Sequence, residues 1–195
     1  MELLLLARHG QSLFNVDGIV NGDPERDKGL SPLGEDEGRK LGVQLAGILI
    51  DACVTSRFPR AQETARLALG QARAETTPTE IDADLDDIRV GDLEGRTLDD
   101  YRTWKRAHRR SDRFPGASGE SLDDAAHRYA DAFERVTLRP ERTILCVCHE
   151  IPVRYAVNAA AGSEDLDHPT HDIANATPYL FDKPALERAV ATLRR

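Results

Sequence analysis

The chain has 195 residues, of which 40% are hydrophobic and 31% charged, as in a soluble globular protein rather than a disordered or fibrous one. Its 26 Lys and Arg face 34 Asp and Glu, and the net charge of −8 argues against a general binder of nucleic acid or anionic membranes. No apolar run approaches the roughly 18 residues of a membrane span. Three cysteines, an odd number, predict reduced thiols and a cytoplasmic location.

The first predicted element is a strand over the apolar run 3–7, which is typical of a strand buried on both faces and stops at Arg8. A loop rich in Gly, Asn and Asp follows. Ser31 and Pro32 then predict the start of a helix, as a capping residue followed by a first-turn proline. Three leucines are predicted on one face of that helix: Leu41, Leu45 and Leu49.

A second short strand is predicted over 52–56, and Pro59 opens another helix that ends near Gly70. The segment 81–85 predicts a third, weaker strand. Residues 86–120 differ in character, because they are polar, rich in Arg and Asp, and contain the only tryptophan. We predict one helix over 98–108 within this stretch and a longer helix over 121–137 directly after it.

The second half of the chain begins with a strong buried strand over 143–148 that stops at His149. Pro152 predicts the start of a helix through residue 160, and a strand is predicted over 178–181. The segment 184–195 predicts an amphipathic helix. Its apolar side holds Leu186, Val190 and Leu193.

Strands that alternate with helices of this length predict an α/β fold, a three-layer α/β/α sandwich with a mostly parallel central sheet. The length predicts a single domain over residues 1–195, and the polar stretch predicts a small helical cap inserted within residues 88–140. In such sheets the functional site lies beyond the carboxyl ends of the strands.

Polar groups follow three of the predicted strands at that edge. Arg8 and His9 come directly after the first, Ser56 and nearby Arg60 after the second, and His149 after the fourth. Two guanidiniums and two imidazoles suit a phosphate dianion, because arginine binds phosphate oxygens in bidentate fashion and stays charged. A neutral histidine among such cations can attack phosphorus and form a phosphohistidine, for which we expect His9 neutral and His149 charged.

Several segments of the chain, in order between residues 3 and 182, resemble the motifs of the histidine phosphatase superfamily, which includes the cofactor-dependent phosphoglycerate mutases. Each segment is similar in residue types and spacing to one of that family. They are Arg8-His9-Gly10-Gln11-Ser12-Leu13-Phe14-Asn15, residues 56–65, residues 85–95, Gly119-Glu120-Ser121, residues 149–154 and Asn175-Ala176-Thr177.

The resemblance implies a metal-independent phosphomonoesterase that hydrolyses a small phosphorylated metabolite through phospho-His9, with no cofactor. Arg8, Arg60 and His149 would bind the phosphate and stabilise the transition state. Asn15 and Ser12 would add polar contacts, although Asn15 can equally cap a turn. A carboxyl group at position 87 would be the acid that protonates the leaving alcohol and then the base that activates water.

Two residues depart from the family pattern. Asp87 stands where the family has Glu, and the lost methylene shortens its reach by roughly 1.5 Å, when a misplacement near 1 Å can cost about 10²-fold in rate. Glu150 stands where the family usually has Gly, beside a site meant for anions. Either carboxyl group can be the proton donor, and we favour Asp87.

Two other functions stay open at this point. A phosphoglycerate mutase would use the same pocket but return the phosphoryl group to the substrate, and the short stretch between residues 88 and 148 favours the phosphatase branch, because family mutases resemble longer chains. A non-catalytic phosphate-binding module would use the same cations without a working proton donor. The C-terminal helix can pack on its own domain or on a second chain, which leaves a homodimer open.

Three further patterns have less specific interpretations. Cys146 and Cys148 alternate onto one face of a buried strand and predict core packing rather than metal binding, since zinc needs more ligands at suitable spacing. His168 and His171 predict a solvated loop rather than a ligand pair. The basic run 102–113 predicts a solvated helix face, or else a pocket rim that attracts anions.

Overall fold

Five strands form one sheet in the computed structural model of the chain, which describes residues 1–168 and 172–195. The strands are β1 (Leu3–Arg8), β2 (Ala52–Thr55), β3 (Thr79–Ile81), β4 (Thr143–Cys148) and β5 (Pro178–Asp182). Their order across the sheet is β3-β2-β4-β1-β5; the first four run parallel and β5 runs antiparallel to β1. The predicted loop histidine His171 lies outside the described residues.

The two strong apolar runs of the sequence are the two central strands. β1 pairs with β4 in register from Leu3 opposite Thr143 to Arg8 opposite Cys148. Side chains alternate across a strand, so Leu4 and Leu6 enter one core cluster, whereas Leu5 enters the other. Both faces of these strands are therefore covered, as a continuous apolar run requires.

Helices cover both faces of the sheet and make the predicted three-layer sandwich. The helices are α1 (Leu13–Asp17), α2 (Pro32–Gln44), α3 (Pro59–Gln71), α4 (Leu98–Ala107), α5 (Leu122–Thr137), α6 (Glu150–Ala160) and α7 (Lys183–Leu193). α2 and α3 pack on one face, and α5, α6 and α7 pack on the other. The predicted α/β class and its mostly parallel sheet are confirmed.

The weak strand predicted over 81–85 is wrong in position. β3 occupies Thr79–Ile81, and Ala83–Leu85 forms a 3₁₀ turn instead. The turn forms because the side chain of Asp82 accepts a hydrogen bond from the backbone N–H of Asp84 at 2.9 Å. A nearby side-chain acceptor of this kind offers the backbone N–H a hydrogen bond in place of the one it would form to a neighbouring strand.

Two helix boundaries also differ from the sequence prediction. α2 ends at Gln44, and the chain turns at Gly47 with a φ of 84°, so Leu49 is 79% exposed rather than on the buried face. α6 begins at Glu150, two residues before Pro152. Proline is tolerated there because the first N–H groups of a helix have no partner within the helix.

The polar stretch predicted as a cap contributes to two different parts of the fold. α4 buries no residue fully, and its Trp104 ring stacks on Phe114 with centroids 4.2 Å apart. α5 instead packs nine buried residues against the sheet and α7. Among the helices of the described residues, none combines the length and the apolar character needed to cross a lipid bilayer.

Candidate active site

The carboxyl ends of β1, β2 and β4 meet beside a cavity of about 380 Å³. Arg8 and His9 reach it from β1, and Arg60 reaches it from the first turn of α3. His149 caps α6 directly after β4 and is fully buried behind the cavity surface, where it contacts Arg60. The four cationic and imidazole groups predicted from the sequence are thus brought together.

The hydrogen bonds of His9 fix which of its ring nitrogens carries the proton. Nδ1 lies 2.6 Å from the carbonyl oxygen of Gly10, which only accepts, so Nδ1 is the donor. Nε2 is left with its lone pair, which accepts a hydrogen bond from Nε of Arg60 at 3.0 Å. Burial, followed by the charges of Arg60 and Arg8, holds the pKa of His9 well below its usual 6.5, so the ring is neutral.

Arg60 is the hub of the site. Its Nη1 donates to Oδ1 of Asn21 at 2.5 Å and to Oδ1 of Asp27 at 3.2 Å, which hold the guanidinium from behind. Its Nη2 donates to Asp87 and to Nδ1 of His149, at 3.3 and 3.2 Å. A lysine could not make this set of contacts, because only the planar fork of arginine presents donors in several fixed directions.

His149 differs from expectation in its charge. Burial, followed by the charge of Arg60, lowers the pKa of His149 well below its usual value, so the expected charged imidazole is a neutral one here. Its Nδ1 accepts from Arg60 and its Nε2 lies 2.9 Å from the hydroxyl of Ser56. Because the guanidinium only donates, Nδ1 carries no proton, and the neutral ring donates its Nε2–H to the hydroxyl of Ser56.

Asp87 reaches the centre of the site despite its short side chain. Its Oδ2 lies 3.3 Å from Nη2 of Arg60 and 3.5 Å from Nδ1 of His149, and its Oδ1 accepts from the N–H of Ile88. Burial raises the pKa of Asp87 above its usual 3.8, against the opposing charge of Arg60. A raised pKa favours the protonated form that a general acid needs.

Ser12 and Asn15 line the cavity and also cap α1. The hydroxyl of Ser12 accepts from the N–H of Asn15 at 3.1 Å, and Oδ1 of Asn15 accepts from the N–H of Ser12 at 3.0 Å. This reciprocal pair is a capping box. The amide nitrogen of Asn15 donates to no group in residues 1–168 or 172–195, so it is free to contact a ligand.

Glu150 lines the cavity between two arginines. Its Oε2 lies 3.1 Å from Nη1 of Arg8, and its Oε1 accepts from Nη2 of Arg154 at 2.7 Å. As the first residue of α6, its carboxylate is also stabilised by the helix dipole. The carboxylate therefore lies inside the cationic wall of the cavity.

The cavity wall is cationic in a chain that is acidic as a whole. Five cationic and three carboxylate side chains line it: Arg8, Arg60, Arg102, Lys105, Arg154, Asp87, Glu150 and Asp167. The basic run 102–113 is divided in role. Arg102 and Lys105 line the cavity, whereas Arg110 pairs with Asp167 and Arg113 pairs with Asp124.

Several residues of the site were not chosen from the sequence. Asn21 and the buried Asp27 hold Arg60, and Glu94 holds Asn21 by accepting from its Nδ2 at 2.9 Å. The same carboxylate accepts from the N–H of Gly22 at 2.7 Å, where a Cβ atom would lie 2.2 Å from a backbone oxygen. Glu94 lies within a segment that carries the family resemblance, but its position in a loop gave no indication that it contacts Asn21.

Metal binding has no support in the described parts of the chain. No group of three or more His, Cys, Asp or Glu side chains there is arranged to hold a metal ion. Cys146 and Cys148 are fully buried in the same core cluster.

Comparison with known proteins gives a consistent result. The model of the histidine phosphatase superfamily (branch 1) matches residues 4–184. A 2,3-bisphosphoglycerate-dependent phosphoglycerate mutase of Methylobacterium sp. (strain 4-46) is 35% identical over 191 residues, which are 92% of this chain and 90% of that protein. Because the match leaves little of that relative uncovered, the short stretch between residues 88 and 148 does not separate this chain from proteins named as mutases.

Solved structures of proteins named as phosphatases and as mutases share the fold. The alpha-ribazole phosphatase of Shigella flexneri superposes with a TM-score of 0.78 at 24% identity, over 92% of this chain and 90% of that one. A phosphoglycerate mutase of Bacillus anthracis str. Sterne superposes with the same TM-score at 17% identity, over 100% of this chain and 97% of that one. At these identities the superpositions establish the fold alone.

Proposed function

The chain belongs to the histidine phosphatase superfamily, and we propose from its cavity that it moves a phosphoryl group from a small phosphorylated metabolite to Nε2 of His9. The observation that carries the proposal is the bond from Nδ1 of His9 to the Gly10 carbonyl, which leaves the Nε2 lone pair beside Arg60. A neutral imidazole fixed in this tautomer is a competent nucleophile. The neighbouring arginines neutralise phosphate oxygens without a metal.

The proposed first step breaks one bond and forms another at phosphorus. The Nε2 lone pair of His9 attacks the phosphorus atom as the ester oxygen leaves with its bonding electrons and takes the proton of Asp87. A phosphate oxygen replaces His9 as the acceptor of the Arg60 Nε–H, which releases the lone pair for attack. His149 keeps Nδ1 as the acceptor of an N–H of Arg60 while its Nε2–H donates to Ser56, so this neutral imidazole orients the guanidinium without adding charge.

For the second step, we propose that a phosphoglycerate accepts the phosphoryl group, so that the protein is a phosphoglycerate mutase. The 35% identity to a relative of that name over nine-tenths of both chains supports this acceptor. The excess of cations in the cavity wall also suits a substrate that carries a carboxylate besides its phosphate. In that reaction 2,3-bisphosphoglycerate supplies the phosphoryl group that first loads His9.

Transfer to water, which would make the protein a phosphatase, is the second candidate. Glu150 favours it, because its carboxylate neutralises Arg8 and Arg154, which a ligand with two anionic groups would otherwise use. In this reaction Asp87, now ionised, would take a proton from the attacking water. A binding module without turnover is less well supported, since Asp87 is within 3.3 Å of Arg60.

One experiment tests these candidates. The protein is incubated with 3-phosphoglycerate and a trace of 2,3-bisphosphoglycerate in EDTA, and products are followed by ³¹P NMR. Formation of 2-phosphoglycerate supports the mutase, and inorganic phosphate alone supports the phosphatase. His9→Ala should abolish either product, whereas His127→Ala, at an exposed histidine of α5, should not. Loss of neither product in His9→Ala would overturn the proposed nucleophile.

A further inference from the structure

A buried ion pair lies behind the loop that carries Asp87. Glu120 is fully buried, and its carboxylate accepts from Nη2 and Nε of Arg128 at 2.5 and 3.2 Å. The same carboxylate accepts from the backbone N–H of Arg89 at 3.0 Å and from its Nη2 at 2.7 Å. The side chain of Arg128 is only 9% exposed, so the pair is fixed by packing as well as by hydrogen bonds.

The remaining donors of Arg128 go to the backbone of the Asp87 loop. Its Nη1 donates to the carbonyl oxygens of Asp84 and Asp86, at 2.9 and 3.0 Å. Its Nη2 also reaches the carbonyl of Asp87 at 3.4 Å. One guanidinium, oriented by Glu120, thus holds three carbonyls of the segment 84–87.

The segment is anchored on its other side as well. The carboxylate of Asp86 accepts from the backbone N–H of Arg57 at 2.9 Å and from its Nε at 2.7 Å. Arg57 precedes α3, which carries Arg60. Asp87 therefore lies between two anchors, one on α5 and one at the start of α3.

We propose that Arg128 and Glu120 are positioning residues for Asp87 in phosphoryl transfer, an inference that rests on the proposed function. They hold the backbone close enough for an aspartate to reach the reacting centre where a glutamate would otherwise be needed. Neither side chain lines the cavity, so the proposed role is to position Asp87 rather than to contact substrate. A displacement of about 1 Å in a catalytic group can cost about 10²-fold in rate, so releasing this segment should cost as much.

The test uses two substrates that differ in their need for an acid. The leaving group of benzyl phosphate is a strongly basic alkoxide, which needs a proton from an acid. The leaving group of 4-nitrophenyl phosphate is a stable phenolate, which does not. If Arg128 positions Asp87, Arg128→Lys should slow the first turnover, in which His9 is phosphorylated and the alcohol or phenol is released, by about 10²-fold with benzyl phosphate and much less with 4-nitrophenyl phosphate. Asp87→Asn should give the same inequality.

Two further variants guard against a fold that is simply damaged. The double variant, Glu120→Gln with Arg128→Met, removes the ion pair of these two residues, here called the clamp. It leaves no unpaired buried carboxylate, whereas Arg128→Met alone would leave one and would be strongly destabilising for that reason. Arg135→Met is the matched control, because Arg135 lies on the same helix and binds the carboxylates of Asp82 and Asp84 from an exposed position. Thermal unfolding is recorded for every variant.

The outcomes are distinct. A selective loss on benzyl phosphate in both clamp variants, absent in Arg135→Met, supports the proposal. Equal losses on both substrates, or failure of every clamp variant to fold, would assign the pair to the fold alone and overturn the positioning role. If the unchanged protein phosphorylates His9 with neither substrate nor any phosphoglycerate, the proposed function fails first, and the inference falls with it.

Discussion

Replacing Arg60 with lysine separates the charge of this side chain from its geometry. The guanidinium donates to Nε2 of His9 at 3.0 Å and to Nδ1 of His149 at 3.2 Å from two different nitrogens. A single ammonium group cannot span both imidazoles, so Arg60→Lys keeps the positive charge and loses the directed donors. Replacing Arg60 with an apolar residue would be less informative, because the buried Asp27 would lose its ion-pair partner, at a cost of about 3–5 kcal/mol in stability.

The size of the effect follows from the loss of a donor to the transferring group. Loss of one donor that stabilises transition-state charge costs about 10²–10³-fold in kcat, or roughly 2.7–4 kcal/mol. KM for a phosphate dianion should change less, since the charge remains. The pH at which His9 titrates should also stay low, because burial is the largest cause of its lowered pKa.

The assay measures kcat and KM for one phosphomonoester with the unchanged protein, Arg60→Lys and Arg66→Lys. Arg66 is the control, because it lies on α3 with its side chain 70% exposed and pairs only with Glu63 among the described residues. A kcat for Arg60→Lys equal to that of the control would refute the reasoning. A large rise in KM with unchanged kcat would mean that Arg60 binds substrate and transition state alike.

Three other outcomes are expected. Asp87→Asn should slow initial rates more than Glu150→Gln, and the reverse ranking would assign the proton donor to Glu150. The free energy of unfolding, measured with urea, should fall as the pH is lowered from 7 to 5.5, because the pKa values of His9 and His149 lie below 6.5 in the folded protein and the unfolded chain therefore binds more protons. With two histidines this free energy changes by at most about 2.7 kcal/mol per pH unit. At lower pH the raised pKa of Asp87 opposes the decrease. A pH-independent stability would contradict the neutral, buried imidazoles. Finally, EDTA should leave turnover unchanged, and turnover restored only by added metal would contradict a metal-independent mechanism. The protein-bound phosphate should be stable to alkali but labile in acid, and an alkali-labile adduct would contradict a phosphohistidine.

The central strands could be predicted because each is a run of consecutive apolar residues. Residues 3–7 and 144–148 are apolar without interruption, and short runs of this kind are typical of a strand covered on both faces. The position of β3 could not be predicted in the same way. It is three exposed residues at the sheet edge, where the choice between strand and turn depends on one capping aspartate, Asp82.

The proximity of His9, the proposed nucleophile, to its cations could be predicted because these residues lie at or shortly after the ends of strands that meet at one edge. Their supporting residues could not, since Asn21 and Asp27 lie in a long loop whose path depends on tertiary contacts with Arg60 and Glu94. The prediction that His149 is charged was wrong for a related reason. A sequence gives the proximity of cations but not complete burial, and burial is the largest cause of the lowered pKa.

The pairing of β1 with β4 has a consequence for synthesis. Residues 3–8 leave the ribosome before the other strands, and both strands that pair with them, 143–148 and 178–182, are translated much later. The growing polypeptide must therefore carry four consecutive leucines with no strand to receive them, a condition that invites aggregation and chaperone binding. His9 is polymerised long before His149, so its surroundings are assembled only when translation has passed His149.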